Sequence, residues 1–171
     1  LLAGGGTRQR VADASMGESK VRVYNSVYHF HPQNGPQGHY DKLVPLPFGE
    51  YLPLAEQLPW LADLIEGPGS FRAGTEAVLF DINGVRIATP ICYEAILGYL
   101  VRRFDQPDLI VNVTNDAWFG NTAASHQHGM LAASRSTEFG IPLFRSAYSG
   151  VSMVVEPHGR IHTETPLFTE V

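Results

Sequence analysis

The sequence contains one cysteine, Cys92, in a place where a thiol can act as a nucleophile. An apolar strand pattern ends just before it, and apolar residues at helical spacing follow over positions 96–104. A thiol at the N-terminal end of a helix lies near unpaired N–H groups and the positive end of the helix dipole, which favour the thiolate. The same N–H groups can hold the oxyanion of a tetrahedral intermediate. The alternative is a buried structural cysteine that packs as a small apolar side chain.

Lys42 and two glutamates are the next candidates for chemistry. Lys42 lies in a proline-rich loop, residues 40–53, whose flanking aromatic residues predict a rigid and partly buried segment. A lysine held there needs a partner, and Glu50 and Glu94 are the candidates. Lysine, carboxylate and thiol together supply the cation, base and nucleophile of a catalytic triad. The alternative is a surface ion pair between Lys42 and Glu50, which contributes little to stability.

The loop after the apolar run 109–113 is a candidate wall of a site. It carries Asn115, Trp118 and Phe119, and ordered loops that follow buried strands commonly hold site-lining side chains. The alternative is an Asx turn packed under an aromatic pair.

Histidines raise the question of a metal ion. His29 and His31 share one face of a predicted strand, as a metal site requires. His126 and His128 are two apart on a predicted helix and do not face each other. No recognisable spacing supplies the remaining ligands, so the sequence predicts neither a metal nor a cofactor.

Strands and helices mix along the chain, which predicts an α/β or α+β fold with more strand than helix. Gly4 to Ala14 is polar and glycine-rich, and we expect a mobile loop there. Asn83-Gly84 between two apolar runs predicts a hairpin. The predicted strands are 21–30, 77–80, 85–88, 109–113, 141–146, 151–155 and 160–163, and the predicted helices are 54–65, a segment from Ile96 to Phe104, and 125–138.

Composition excludes several classes of protein. The 171 residues suggest one domain, and the net charge of −5, with no basic run beyond Arg102-Arg103, argues against nucleic-acid binding. One cysteine excludes an internal disulfide. The most apolar stretch, Ile87 to Val101, is too short for a membrane span. No signal peptide is visible, and the first residue, Leu1, suggests that both ends are cuts.

Four motifs in this order resemble the carbon-nitrogen hydrolase (nitrilase) superfamily and, within it, the periplasmic domain of the apolipoprotein N-acyltransferase family. The resemblance runs from about residue 1 to the end of the chain. The motifs are Tyr40-Asp41-Lys42 with Pro47-Phe48-Gly49-Glu50-Tyr51-Leu52-Pro53, then Ile91-Cys92-Tyr93-Glu94, then Asn112-Val113-Thr114-Asn115-Asp116-Ala117-Trp118-Phe119-Gly120, then Gln127-His128.

The resemblance implies an αββα sandwich and a Glu-Lys-Cys triad. Cys92 would take an acyl chain from a phospholipid as a thioester and pass it to the N-terminal amino group of an apolipoprotein. Lys42 and the backbone N–H of Tyr93 would stabilise the oxyanion, and Glu50 would orient the lysine or assist proton transfer. Supporting positions would be Tyr93, Glu94, Asn115, Trp118 and Phe119.

The resemblance also implies parts that this sequence does not show. The family's general-base glutamate lies upstream of the region that matches Leu1, and nothing before Lys42 resembles it. We therefore expect a single domain over residues 1–171, truncated at both ends relative to the family and inactive in isolation. The domain would face the periplasm from the bacterial inner membrane, which it would reach through segments absent from this chain.

Two other functions remain open. A soluble nitrilase-superfamily amidase would use the same thioester chemistry with water as acceptor, and predicts a closed polar pocket. The acyltransferase predicts an apolar groove, with exposed apolar residues near positions 51–64. A non-catalytic fragment or binding module, lacking the upstream glutamate, predicts an unreactive Cys92.

Overall fold

The computed structural model describes residues 1–12, 19–54, 57–58, 60 and 71–169. Most of the predicted helix over 54–65 lies outside these residues. The strands are β1 (Leu2–Ala12), β2 (Ser19–His31), β3 (Gly35–Asp41), β4 (Leu79–Ile82), β5 (Val85–Ala88), β6 (Leu109–Asn115), β7 (Leu143–Tyr148), β8 (Met153–Val155) and β9 (Ile161–Glu164). The helices are α1 (Gly98–Val101) and α2 (Ala123–Phe139), with short 3₁₀ helices at Cys92–Ile96 and Ala117–Phe119.

The strands form two sheets. Strands β1, β2 and β3 make an antiparallel sheet in that order. Strands β4 to β9 make a six-stranded mixed sheet in chain order, in which β5, β6 and β7 are parallel and the outer pairs are antiparallel. The parallel strands are joined through segments that include α1 and α2, so the predicted α/β (α+β) class is confirmed.

Two apolar clusters bind the layers together. The first contains residues of both sheets and of the Cys92 region: Val27, Tyr40, Leu43, Phe80, Ile87, Ala88, Ile91, Leu100 and Phe104. The second packs α2 and α1 against the six-stranded sheet: Val101, Ile110, Ala133, Leu143, Val151, Met153 and Val155. Of the four layers predicted, the described residues form three, namely two sheets and the helical layer beside the larger sheet.

The prediction of a mobile loop over Gly4 to Ala14 is wrong for residues 4–12. These residues belong to β1, which pairs with β2 from Leu2↔His29 to Ala12↔Ser19. Backbone hydrogen bonds to a distant strand order the segment in spite of its glycines, because a ladder uses main-chain groups and not side chains. Residues 13–14 lie outside the described part.

The helix predicted after Cys92 is shorter than its apolar spacing suggests. A 3₁₀ helix over Cys92–Ile96 ends where Leu97 takes the non-helical angles φ −93° and ψ 89°, and α1 adds only four residues. A five-residue 3₁₀ helix has few aligned peptide dipoles. The helix dipole at Cys92 is therefore weaker than that of the longer helix predicted from the sequence.

Local signals elsewhere are confirmed. Asn83 and Gly84 have φ of 55° and 82°, which the β4–β5 hairpin turn requires. Helix α2 begins after Thr122, whose hydroxyl accepts from Ala124 N at 3.3 Å, and ends at Gly140 with φ 68°. No helix among the described residues has the length and apolarity needed to cross a bilayer.

Candidate active site

Cys92 lies in a strained turn beside strand β6. Its φ is +52°, a left-handed conformation that residues with a Cβ atom seldom adopt. The preceding residue, Ile91, forms a parallel bridge with Val113. The side-chain Nδ2 of Asn112 donates to Pro90 O at 2.8 Å and to Cys92 O at 3.4 Å. The turn is thus fixed to β6 on both sides of a half-buried thiol.

Lys42 and Glu50 form a close ion pair. Lys42 Nζ lies 2.6 Å from Glu50 Oε2, and the side chains are 1% and 16% exposed. The Glu50 carboxylate also accepts from Asn25 Nδ2 at 2.6 Å and from Leu46 N at 2.6 Å. The alternative of a surface ion pair is therefore wrong, because the lysine is buried.

Glu94 joins the Lys42 loop to the Cys92 turn. Its fully buried carboxylate accepts from Leu43 N at 2.7 Å and Val44 N at 3.0 Å on one side, and from Ile91 N at 2.8 Å on the other. The Tyr40 hydroxyl donates to the same carboxylate, at 3.1 Å from Oε1 and 3.0 Å from Oε2. One side chain thus ties together the two segments that carry the candidate lysine and thiol.

Of the two glutamates proposed as partners for Lys42, Glu50 is the one in direct contact. Glu94 is occupied by backbone amides and by Tyr40. Burial raises the pKa of Glu94, although the amide donors and the charge of Lys42 oppose the effect. Burial, together with the Glu94 charge, also raises the pKa of Tyr40.

A cavity of about 640 Å³ opens beside Cys92, between β1, β6 and β7. It brings together four predicted site residues: Cys92, Glu50, Asn115 and Trp118. Lys42 does not line the cavity but contacts Glu50, which does. The other predicted residues, Tyr93, Glu94 and Phe119, do not line it. The remaining lining residues are Leu2, Ala3, Gly4, Gly5, Gly6, Asn25, Ser26, Phe71, Ile91, Val113, Thr114, Ser146 and Tyr148. The walls combine apolar residues and glycines with the polar side chains of Asn25, Ser26, Glu50, Thr114, Asn115 and Ser146.

The loop after β6 combines both interpretations offered for it. Asn115 Oδ1 accepts from Ala117 N at 3.0 Å, which is an Asx turn, and the same residue lines the cavity. The aromatic pair does not cover this turn. Trp118 is 80% exposed at the cavity, and the Phe119 ring packs edge-on against His128 at 5.6 Å between centroids.

A buried polar network lies behind the cavity, and no role is predicted for it from the sequence although Asn112, Asp116 and His128 lie in the motifs. The Arg145 guanidinium donates to Asn112 Oδ1 at 2.5 Å, to Asp116 Oδ2 at 2.7 Å and to Val151 O at 3.2 Å. Asp116 Oδ1 lies 2.9 Å from His128 Nδ1. One feature of the sequence could have indicated this network: each of two apolar strand patterns contains a polar residue, Asn112 in β6 and Arg145 in β7.

The network shifts the acidity of its members. Burial would raise the pKa of Asp116, but the hydrogen bond with His128 and the charge of Arg145 outweigh it and lower the pKa to about 2. Burial lowers the pKa of Arg145, and the Asp116 carboxylate opposes this effect. Asp116 and Arg145 therefore form a fully buried ion pair.

The histidines have other contacts. The His29 ring packs on Phe80, with centroids 5.9 Å apart, and His128 bonds Asp116. Within the described ranges, no three His, Cys, Asp or Glu side chains converge as a metal site would require.

Sequence comparison gives one family and a set of close relatives. The carbon-nitrogen hydrolase family matches residues 2–171. Apolipoprotein N-acyltransferase of Geobacter metallireducens is 36% identical over 153 residues, and that of Rhizobium rhizogenes is 41% identical over 156 residues. The Brucella melitensis enzyme of the same name is 40% identical over 168 residues. These alignments cover 88%, 89% and 94% of this chain but only 29%, 29% and 30% of the relatives.

Solved structures show the same fold at low sequence identity. An amidase from Nesterenkonia sp. AN1, with the acetamide moiety of fluoroacetamide added covalently at its active-site cysteine, matches with TM-score 0.62 and 17% identity. The match covers 95% of this chain and 56% of the amidase. A nitrilase-superfamily protein of Saccharomyces cerevisiae matches with TM-score 0.62 and 16% identity over 95% of this chain and 55% of its own. The nitrilase-like fold predicted from the motifs is confirmed.

Proposed function

This chain belongs to the carbon-nitrogen hydrolase family, and from that premise we propose that it is the thioester-forming part of an apolipoprotein N-acyltransferase. The proposed reaction moves a fatty acyl chain from a phospholipid to the N-terminal amino group of a lipidated apolipoprotein cysteine. The relatives of that name support the proposal. Because this chain spans about 30% of their length, the activity of the whole protein is inferred.

The first proposed step forms a thioester on Cys92. The sulfur attacks the ester carbonyl of the phospholipid, the C–S bond forms, and the bond to the glycerol oxygen breaks. The thiol proton passes through a general base to that oxygen, which leaves as the hydroxyl of a lysophospholipid.

The second proposed step releases the acyl chain. The α-amino nitrogen of the apolipoprotein attacks the thioester carbonyl, an amide bond forms, and the C–S bond breaks. The proton lost by the amine returns to the Cys92 sulfur, so the thiol is regenerated.

The Lys42–Glu50 pair is the observation that carries this mechanism. Glu50 lines the same cavity as Cys92 and lies 2.6 Å from the Lys42 ammonium. A buried cation directed by a fixed carboxylate is a preorganised donor for an oxyanion. We assign this role to Lys42 together with the backbone N–H of Tyr93, and we assign the orientation of the lysine to Glu50.

We propose that the 171-residue chain turns over poorly in isolation. Among the described residues, Glu50 is the only carboxylate that lines the cavity. Its oxygens are already engaged by Lys42, Asn25 and Leu46 N. We infer that the general base for Cys92 lies on a segment outside the described residues.

The phospholipid donor implies contact with a membrane. Phe48, Leu54, Leu58 and Trp60 are exposed along the segment that follows Lys42, and Trp118 is exposed at the cavity. Exposed apolar side chains that form a patch are typical of surfaces that meet lipid or another apolar partner. We infer that this surface meets the periplasmic face of the bacterial inner membrane.

Intact-mass measurement of acylation tests the proposal. The full-length gene product that contains this sequence is incubated with phospholipid, beside Cys92→Ala and Lys42→Ala. We expect a mass gain of one fatty acyl group that is absent in Cys92→Ala and strongly reduced in Lys42→Ala. Hydrolysis of small amides without an acyl adduct would identify an amidase instead.

A further inference from the structure

One amide side chain, that of Asn112, bonds two carbonyls of the turn that carries Cys92. Asn112 Nδ2 donates to the carbonyls of Pro90 and Cys92, at 2.8 Å and 3.4 Å. Between these carbonyls the chain passes through the left-handed conformation of Cys92, φ +52°. A residue with a Cβ atom persists in that conformation only where surrounding contacts hold it.

Arg145 determines which end of the Asn112 amide faces the turn. The register of β6 and β7 places Asn112 directly opposite Arg145. A guanidinium has donors only, and its Nη1 donates to Asn112 Oδ1 at 2.5 Å. With the oxygen occupied, the NH₂ group is directed at the two carbonyls. Reversal of the amide would bring its oxygen against the carbonyl oxygens and its NH₂ group against Arg145.

The orientation of Arg145 is itself fixed. Its Nη2 donates to Asp116 Oδ2 at 2.7 Å, its Nε donates to Val151 O at 3.2 Å, and the side chain is fully buried. There is no spare room behind Asp116, because a Cβ atom at Gly150 would lie 2.5 Å from Asp116 Oδ2. A continuous chain of contacts therefore runs from Asp116 through Arg145 and Asn112 to the Cys92 turn.

We propose that Arg145 is a positioning residue for thioester formation, acting through Asn112 to keep the Cys92 turn in the conformation that aligns the sulfur and the Tyr93 N–H with the reacting carbonyl. Arg145 touches no reacting atom in this role. The inference rests on the proposed function, since it takes Cys92 as the nucleophile.

Two conservative variants separate positioning from folding. Asn112→Asp keeps an oxygen for Arg145 and loses the donor to the Pro90 and Cys92 carbonyls. Arg145→Lys keeps the positive charge beside Asp116 and loses the second guanidinium nitrogen, which donates to Asn112. Asn83→Asp, in the β4–β5 turn, is the matched amide-to-acid control. Truncation of Arg145 to alanine is avoided because it leaves a buried carboxylate unpaired.

The full-length gene product is treated with p-nitrophenyl butyrate or with iodoacetamide, and the adduct on Cys92 is followed by mass. With the ester, a C–S bond forms and nitrophenolate leaves. Iodoacetamide reports access to the thiol, because alkylation has no oxyanion. We expect both variants to acylate at least about 10-fold more slowly than wild type, since small misplacement of reacting groups costs that much or more. Alkylation rates, measured well below the thermal midpoint of each variant, are expected to stay close to wild type. The midpoints themselves are expected to fall, because both variants disturb buried hydrogen bonds.

The possible outcomes distinguish the positioning role of Arg145 from the proposed thioester-forming function. Acylation of both variants at the wild-type rate overturns the positioning role and leaves the proposed function standing. Parallel losses of acylation and alkylation also overturn it, because they indicate a structural role only. A wild-type protein that forms no thioester overturns the proposed function, and the positioning role with it. Asn83→Asp is expected to match wild type throughout.

Discussion

The ammonium of Lys42 lies 2.6 Å from Oε2 of Glu50, on a lysine side chain that is 1% exposed. Asn25 Nδ2 and Leu46 N hold the same carboxylate at 2.6 Å each, so the acid cannot rotate away from the lysine. The pair thus has the fixed geometry expected of a preorganised electrostatic site, unlike a mobile surface ion pair.

Replacement of this carboxylate by its amide tests the orientation role of Glu50. Glu50→Gln keeps the shape but removes the charge that directs Lys42. We expect Cys92 acylation to slow by on the order of 10²-fold, the usual loss when one oxyanion donor is displaced. Acylation by phospholipid, followed by intact mass, provides the measurement. Glu164→Gln, an exposed change on β9, is the control, and equal rates in the two variants would contradict the assigned role.

The buried carboxylate of Glu94 is expected to stabilise the fold itself. In Glu94→Gln, the amide NH₂ replaces an oxygen that accepts backbone N–H groups, so buried donors face one another. Unsatisfied buried donors cost about 1–3 kcal/mol each, and we expect the free energy of unfolding to fall by at least about 2 kcal/mol. Urea titration measures this change. The exposed Glu76→Gln is the control, and a loss no larger than in that variant would show that Glu94 does not join the two segments.

Acid stability depends on Asp116. Its pKa is about 2 in the folded protein, against an ordinary value of 3.8, so the unfolded chain binds a proton first as the pH falls. The contribution of Asp116 is therefore complete above about pH 4 and is lost between about pH 4 and pH 2, with a magnitude of roughly 2 kcal/mol. Asp116→Asn is expected to be less stable at neutral pH and to lose less stability across that interval. Denaturant titrations at several pH values test this, with exposed Asp105→Asn retaining the wild-type slope; identical slopes in all three proteins would refute it.

Local sequence patterns predict those elements whose stability is mostly local. The Asn83-Gly84 hairpin and helix α2 carry their own turn and capping residues, and both form as expected. The local sequence of β1 does not predict a strand, because this segment is ordered by its pairing with β2 along its whole length. After Cys92 the sequence predicts too much regular structure. Its apolar residues have helical spacing, but they pack from a 3₁₀ helix and a short α-helix that Leu97 separates.

The residues of the candidate site also fall into two groups, those that the sequence predicts and those that only the structure reveals. Cys92, Lys42 and Glu50 are found from residue type and motif, since each has chemistry that stands out in the sequence. Asn112 lies in a motif but receives no role, and Arg145 is missed. The two residues are 33 positions apart and meet only through the parallel register of β6 and β7. Such pairs become visible only when the sheet is known.

Trp118 provides a test of the acyl donor. Its indole lines the cavity yet is 80% exposed, an arrangement that leaves an aromatic face open to an apolar ligand. Burial of such a side chain against an acyl chain contributes about 1.5–3 kcal/mol, so its loss corresponds to about 10-fold or more in rate. We expect Trp118→Ala to slow acylation by long-chain phospholipid by about 10-fold. Acylation by p-nitrophenyl acetate, which has no chain to bury, is expected to stay within about threefold.

The comparison of the two donors decides the role of Trp118. Tyr99→Ala removes another exposed aromatic side chain, one that does not line the cavity, and is expected to leave both rates unchanged. Equal slowing with both donors in Trp118→Ala would place the indole in the chemical step instead of chain binding. Unchanged rates with both donors in Trp118→Ala would mean that the acyl chain does not pass Trp118. A chain that packs on the indole would lose that contact in the variant and react more slowly.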